Sequence, residues 1–354
     1  MVRLHDGIFH HTAFIEGDAS YVALMRQLAT APMTRTPDHF DSNWEKLQYL
    51  KSRARRLANK FAGRPATTET AILATMLSKL IQATHTRLGD DQTVVAAVLS
   101  SPDHIKLTDE EVGDIFDYLK LRDLMDKPRS IYQLYAASAT YAGYGKGLCR
   151  TYTDAYACES EESELPHQRV LHLDLNSETL SGTLKSLQTA YDGSVDASFV
   201  APDLGFRHEH ARFAIAGEDG DTSEQYWIAV SDRIRKLVEF LQRAYMPHVT
   251  ELLLTGPFAT NKHFHGAIKT ALQEHGVDED VLAILEDREG NLEDQEEWQQ
   301  LFSFATARGA SEIAKRRQEG PVQIRAINAD AGERVYIARK TGSCWFKSRN
   351  SRRP

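Results

Sequence analysis

The sequence predicts an α/β protein with a largely buried mixed sheet in each half. Strand-length apolar stretches alternate with helix-length amphipathic ones along the chain, the rhythm that sets helices against sheets. The stretch "TVVAAVLSSPD" is continuously apolar up to its polar end, which suits a strand covered on both faces. Two Ala- and Gly-rich stretches, "YAASATYAGYG" and "FSFATARGASEIAK", stand one in each half. A glycine inside a helical pattern costs about 1 kcal/mol against alanine, so Gly309 signals close packing, and the pair predicts a tight helix crossing between lobes. With 354 residues, 42% of them hydrophobic, the chain can fill two lobes.

Taken in order, the opening alternates around Asp6-Gly7, a hairpin turn dipeptide. Apolar spacing predicts helices over 43–61 and 68–88, a small helical layer within an insertion at about 40–92. The strand at "TVVAAVLSSPD" stops at Pro102. Thr108 with Glu111 three residues later is a capping-box pattern ahead of the next helix. "IYQLYAASATYAGYGKG" predicts an Ala-rich helix, and the acidic "ESEESELP" a solvated connector, which places the boundary between lobes 1–165 and 166–320. Beyond it come the strand-turn-strand "VLHLDLNSETLSGTL", a long helix over about Ser223 to Tyr245 and the strand "TELLLTG". A helix from about Asn261, a short strand near "VLAILE" and a helix over about Glu297 to Arg317 complete the second lobe.

Composition excludes several function classes. No run approaches the roughly eighteen apolar residues that span a bilayer, and the first residues carry charge and histidine rather than a leader pattern. Three cysteines, Cys149, Cys158 and Cys344, are too few for a disulfide framework and lack CxxC spacing. That favours a reducing compartment, hence a cytoplasmic protein with the nucleus also open to it, and argues against a structural zinc. From Pro321 onward eight Lys or Arg face two acids, leaving a net −14 on the first 320 residues. The body therefore repels nucleic acid, while the tail 321–354, with Trp345 and Phe346, suits nucleic acid or an anionic membrane surface, or simply frays into solvent.

Two constellations can hold a ligand. Asp174 ends an apolar strand, and the turn Asn176-Ser177-Glu178-Thr179 follows. A carboxylate there can hold a metal-bound water and the turn amides can cradle phosphate; an ordinary hairpin with an Asx-type turn is the alternative. Glycine usually permits the close approach that phosphate needs, and here Glu178 instead puts a negative charge at the tip. In the second, Thr255-Gly256 leads from a strand to a helix whose N-cap is Thr260 or Asn261, a generic anion or adenosine cradle. The histidine pairs 10/11, 208/210 and 263/265 read as surface histidines, since 263/265 lies at a helix start where i and i+2 point apart and 208/210 lacks an assured third ligand. No GxSxG, P-loop or GxGxxG is present.

In order, these segments resemble the ATPase domain of the actin and seventy-kilodalton heat-shock chaperone superfamily, closest to the divergent chaperone-like proteins of filamentous fungi. "TVVAAVLSSPD" is similar to the proline-ended strand of its first lobe, and "YAASATYAGYG" and "FATARGASEIAK" to its two connecting helices. "LHLDLNSETLSGTL" takes the position of the second phosphate loop and "LLLTGPFATN" that of the adenosine motif. The resemblance implies a two-lobed actin-like fold with ribonuclease H-like lobes, a small helical subdomain, and a reduced subdomain at about 205–245.

It further implies Mg-ATP as cofactor, with Asp174 acting through metal-bound water, Asn176, Ser177 and Thr179 approaching phosphate, and Thr255 and Gly256 near the adenosine. The family's first phosphate loop would stand before "DGIFHHTAFIEGDASY", so either the gene model starts late or the protein lacks that loop. Roughly 35 residues follow "ASEIAKRR", too few for a peptide-binding domain and lid. The expectation is a pseudo-ATPase or weak nucleotide binder working as an interaction module toward a protein partner. An active ATPase, or a small-molecule kinase of the same superfamily, is the alternative.

Overall fold

The computed structural model describes residues 2–3, 9–30, 42–89, 93–125, 133–192, 195–209, 221–243, 248–273, 275, 277, 279–285, 292–320, 339–340 and 343–344. Strand β1 (Val2–Arg3) pairs antiparallel with β2 (Phe9–His10), Val2 opposite His10; the Asp6-Gly7 turn lies outside the described residues. Helices α1 (Ala19–Thr30), α2 (Asn43–Phe61) and α3 (Thr68–Leu88) follow. The hydroxyls of Ser42 and Thr67 cap α2 and α3 by accepting from Glu45 N and Thr70 N, so both start where the sequence predicts. Leu24 and Leu28 of α1 pack with Ile105, Ile72 and Leu73 in a small separate core.

The first half holds no extended sheet among the described residues. Where the sequence predicts one buried strand, the structure has β3 (Ala96–Ala97) and β4 (Ser100–Ser101), with Val95 66% exposed. After α4 (Asp109–Leu119) come β5 (Arg122–Asp123), parallel to β3, and β6 (Leu134–Tyr135), parallel to β4. Strand propensity is strong in "TVVAAVL", yet within it only Ala96–Ala97 finds a ladder partner, with Ser100–Ser101 paired just beyond it, and propensity without pairing makes no sheet. The capping box at Thr108 is complete: its hydroxyl accepts from Glu111 N, and the Glu111 carboxylate accepts from Thr108 N.

The Ala-rich helix α5 spans only Ala136–Gly143 because β6 takes its first residues. "ESEESELP" is not a connector but most of α6 (Ala155–Glu164), with the Asp154 carboxylate accepting from Tyr156 N and Ala157 N. Its helix shows no apolar periodicity, only Ala155 and Cys158 being buried; the cap and a cross-link hold it instead. Cys158 is bonded to Cys149, with Cα atoms 5.1 Å apart, which corrects the expectation of reduced thiols. The turns between them fold the chain back on itself, a proximity that cysteine spacing does not reveal. With their sulfurs joined, these two cannot act with nearby Glu162 as thiolate ligands.

A four-stranded mixed sheet organises the second half. Strands β7 (Gln168–Leu175), β8 (Leu180–Leu187) and β9 (Ala197–Ala201) form an antiparallel meander, α7 (Asp221–Arg243) crosses over, and β10 (Glu251–Thr255) returns parallel to β7. The order is β10-β7-β8-β9. Leu171, Leu173, Leu175, Leu180, Leu184, Leu252 and Leu254 turn one face toward α7 and α8 (Lys262–Gln273), where Tyr226, Ile234, Leu241, Phe264 and Ile268 bury against them. Each such side chain contributes about 1.5–3 kcal/mol.

"VLAILE" corrects another expectation. Its described residues, Val281 to Leu285, form the end of α9 (Glu279–Leu282) and a 3₁₀ turn rather than a strand. A short apolar run cannot by itself distinguish the two; here Leu285 closes the same core. Helix α10 (Leu292–Glu319) is longer at both ends than predicted. Beyond Gly320 the described residues are β11 (Arg339–Lys340) and β12 (Ser343–Cys344), an antiparallel pair; Trp345 and Phe346 lie outside them.

The predicted helix crossing is α5 against α10. A Cβ on Gly143 would sit 2.0 Å from Ala305 O, and one on Gly309 only 1.7 Å from Ala139 O. Thr140 and Thr306 share a hydroxyl hydrogen bond of 2.8 Å at the crossing, so the two helices meet backbone to backbone.

Candidate functional site

The sheet's second face is apolar at one end, where Val170, Leu187 and Leu253 pack with α5 and α10, and polar at the other. Side chains alternate along a strand, so with Leu171, Leu173 and Leu175 in the core, His172 and Asp174 point the other way. The same holds for Ser181, Thr183 and Lys185 on β8. Parallel register sets Thr255 beside Asp174, and the Thr255 hydroxyl donates to Asp174 Oδ2 at 2.8 Å. His172 Nε2 lies 2.9 Å from the same hydroxyl oxygen. Because that hydroxyl proton is directed to Asp174, His172 must donate through Nε2–H. Burial lowers the His172 pKa below its usual 6.5, outweighing the upward pull of Asp103 and Asp174.

Four of the predicted site residues therefore converge: Asp174, Asn176, Thr179 and Thr255. The amides of Asn176, Glu178 and Thr179 are already engaged, however, the first by Thr179 O. Asn176 Oδ1 accepts from Glu178 N and from Thr179 N, both at 2.9 Å. Asn176 Nδ2 donates to Asp174 Oδ1 at 2.9 Å and to Thr179 Oγ1 at 3.1 Å. This is the Asx-type closure that Asn favours in turns. Ser177 gives its carbonyl to Arg207 N and Asn176 its carbonyl to Phe206 N, while a Cβ on Gly205 would meet the Glu178 carbonyl carbon at 2.2 Å. The tip is thus packed on its own chain.

Glu178 does not project freely. Arg26 from α1 donates to one of its oxygens at 2.7 Å and Arg207 to the other at 2.6 Å. Two guanidiniums converging on an anion make a recognisable receptor, and the chain supplies the anion itself. Neither arginine stands out in the sequence, because their partner is 152 and 29 residues away.

Gly256 has φ +102, and a Cβ there would lie 2.2 Å from Leu175 O; its N–H donates to Phe302 O of α10. Its close neighbours are protein backbone. At the start of α8 the cap is Asn261, whose Oδ1 accepts from His263 N and Phe264 N, taking two of the amides that an anion would need. The histidines diverge: His263 stacks on Trp227, while His265 Nε2 lies 2.6 Å from Ala259 O. His208 accepts from Arg207, and His210 lies outside the described residues.

A buried charged group that the sequence reading missed lies against the same sheet face. Lys185, with no exposed surface, donates to Ser138 Oγ at 2.7 Å and stands 3.8 Å from Asp103 Oδ1. Asp103 Oδ2 accepts from Ala137 N at 2.8 Å, while its Oδ1 accepts no hydrogen bond among the described residues. Burial lowers the Lys185 pKa against the pull of Asp103. This group ties β8 to the loop after β4 and to α5. A signal for it was present in the i, i+2, i+4 polar spacing of Ser181, Thr183 and Lys185. The cavity between β2 and α10, about 320 Å³ and lined by Phe9, Trp298, Phe304 and Arg308, shares no residue with it.

No family model matches the chain. No curated protein matches it either. The geometry alone therefore carries the functional reading.

The neutral histidine gives a pH prediction. A group with a folded pKa below 6.5 takes up protons mainly when unfolded, so stability falls as the pH drops below 6.5. His104, also lowered by burial, adds to the same sign. Replacing His172 by Gln, which can still donate to Thr255, should reduce that slope by up to about 1.4 kcal/mol per pH unit, read from urea unfolding across the acidic range.

Proposed function

We propose that this chain is a two-lobed, actin-like module of the heat-shock chaperone ATPase type that works through a protein partner and neither binds nor hydrolyses ATP at the 174–179 turn. The observation that carries the reading is the closure of that turn: the amides of Glu178 and Thr179 are held by Asn176 Oδ1. Phosphoryl transfer needs a triphosphate fixed by free donors and a metal. Here the Glu178 and Thr179 amides are engaged, and the Glu178 carboxylate occupies the arginine pair.

The two-lobed fold has its own support. A meander followed by a helix and a parallel strand, in the order β9-β8-β7-β10, suits a ribonuclease H-like lobe. The α5–α10 crossing suits a pair of connecting helices between lobes. Asp174 and Thr255, side by side at the ends of adjacent parallel strands, mark where such a fold would hold nucleotide.

Thermal unfolding with millimolar Mg-ATP tests the reading. A ligand at a hundred times its Kd adds about 2.7 kcal/mol of stability; the expected result is no shift and no release of phosphate above buffer. A magnesium-dependent rise with turnover would favour the active ATPase. Turnover only in the presence of a sugar or acid would favour the kinase.

A further inference from the structure

Helix α2 is mounted with its polar side inward. Six Lys or Arg stand against one acid among its 19 residues, and none of them is buried. The side chains that hold it are hydrophilic: Arg56 pairs with Glu110 and Asp114, Lys60 with Asp114 and Asp117, and Asn59 donates to Ala66 O. At 3.6 residues per turn, Leu47, Leu50, Leu57 and Phe61 fall on the opposite side. They are exposed by 54%, 50%, 50% and 91%, and Trp44 at the stripe's edge by 65%. Lys46 and Arg53 border the stripe on one flank, Lys51 and Arg55 on the other, all of them exposed.

We propose that the outer face of α2 docks on an anionic lipid surface. An interfacial helix lets leucine and aromatic side chains enter the acyl boundary while flanking Lys and Arg stems reach back to anionic headgroups. The geometry favours a planar target, because a partner that encircles a helix needs the side already held by Arg56, Asn59 and Lys60. A second copy is disfavoured by charge, since it would set net +5 against net +5. The rest of the chain carries −13 and is repelled by the same surface, which orients the protein. No helix among the described residues is long and apolar enough to cross a membrane, so the contact is peripheral.

The test is co-sedimentation of the full chain with vesicles of phosphatidylcholine alone or with phosphatidylserine added. Binding should require the anionic lipid and weaken with salt. Leu50→Glu with Leu57→Glu replaces exposed side chains, so the fold should persist with an unchanged thermal midpoint, while partitioning falls at least about tenfold. Lys51→Glu with Arg53→Glu should abolish the preference for anionic lipid. The proposal is overturned if anionic vesicles do not bind. It is equally overturned if the Leu50→Glu/Leu57→Glu protein binds them as well as the parent does, the result expected were the basic tail the contact. Capture of an acidic protein by α2 without vesicle binding would assign the face to a protein groove instead.

Discussion

Replacing Gly309 by Ala should destabilise the protein by about 3 kcal/mol or more, although the same change in an exposed helix is favourable. The added methyl would lie 1.7 Å from Ala139 O and 2.6 Å from Gly143 N. Both obstacles are backbone, so no rotamer change relieves them; α5 and α10 must separate, and the Thr140–Thr306 hydrogen bond breaks with them. Gly266 is the control. It lies inside α8 with open space where a Cβ would go, and Gly266→Ala should stabilise by about 1 kcal/mol through helix propensity. Urea unfolding of the two variants should give shifts of opposite sign. Equal small effects would mean that the helices are not in backbone contact.

Asp103→Ala should be the most damaging change on the sheet's polar face, at about 3–5 kcal/mol. It strands Lys185, fully buried, with Ser138 as its remaining hydrogen-bond partner. Lys185→Met alone removes the cation and should hurt less, because Asp103 keeps the hydrogen bond from Ala137 N. The double variant should lie well short of the sum, the mark of a coupled pair. The Asp103→Ala defect should also shrink in alkali: a lysine whose folded pKa lies below 10.5 holds its proton more tightly when unfolded, so stability rises with pH up to that value. Additive effects with no pH dependence would refute the pairing.

Local signals in the sequence were good guides where a residue's neighbour in the chain decides its structure. Ser42, Thr67, Thr108 and Asn261 each cap a helix at or next to its predicted start, and the two small-residue helices do meet. The expectations that failed were those that depend on a distant partner. "TVVAAVL" lacks ladder neighbours for most of its length, "VLAILE" finds a core that accepts a helix, and Cys149 meets Cys158 through intervening turns. At the candidate site, Asp174, Asn176 and Thr179 were legible from the strand-turn pattern. The closure of that turn rests on Asn176, but the guanidiniums that fix Glu178 come from α1 and from Arg207. Lys185 escaped notice because a lysine in a strand usually faces solvent; its burial follows from the face that His172 and Asp174 share with it.

The central claim is that the amides of Glu178 and Thr179 are committed to Asn176 and not to phosphate. Amide hydrogen exchange at these two residues, measured with and without millimolar Mg-ATP, tests it most directly. The account predicts two protected amides whose exchange is the same in both conditions. Amides that exchange freely in the absence of ligand and become protected as Mg-ATP saturates the protein would contradict it.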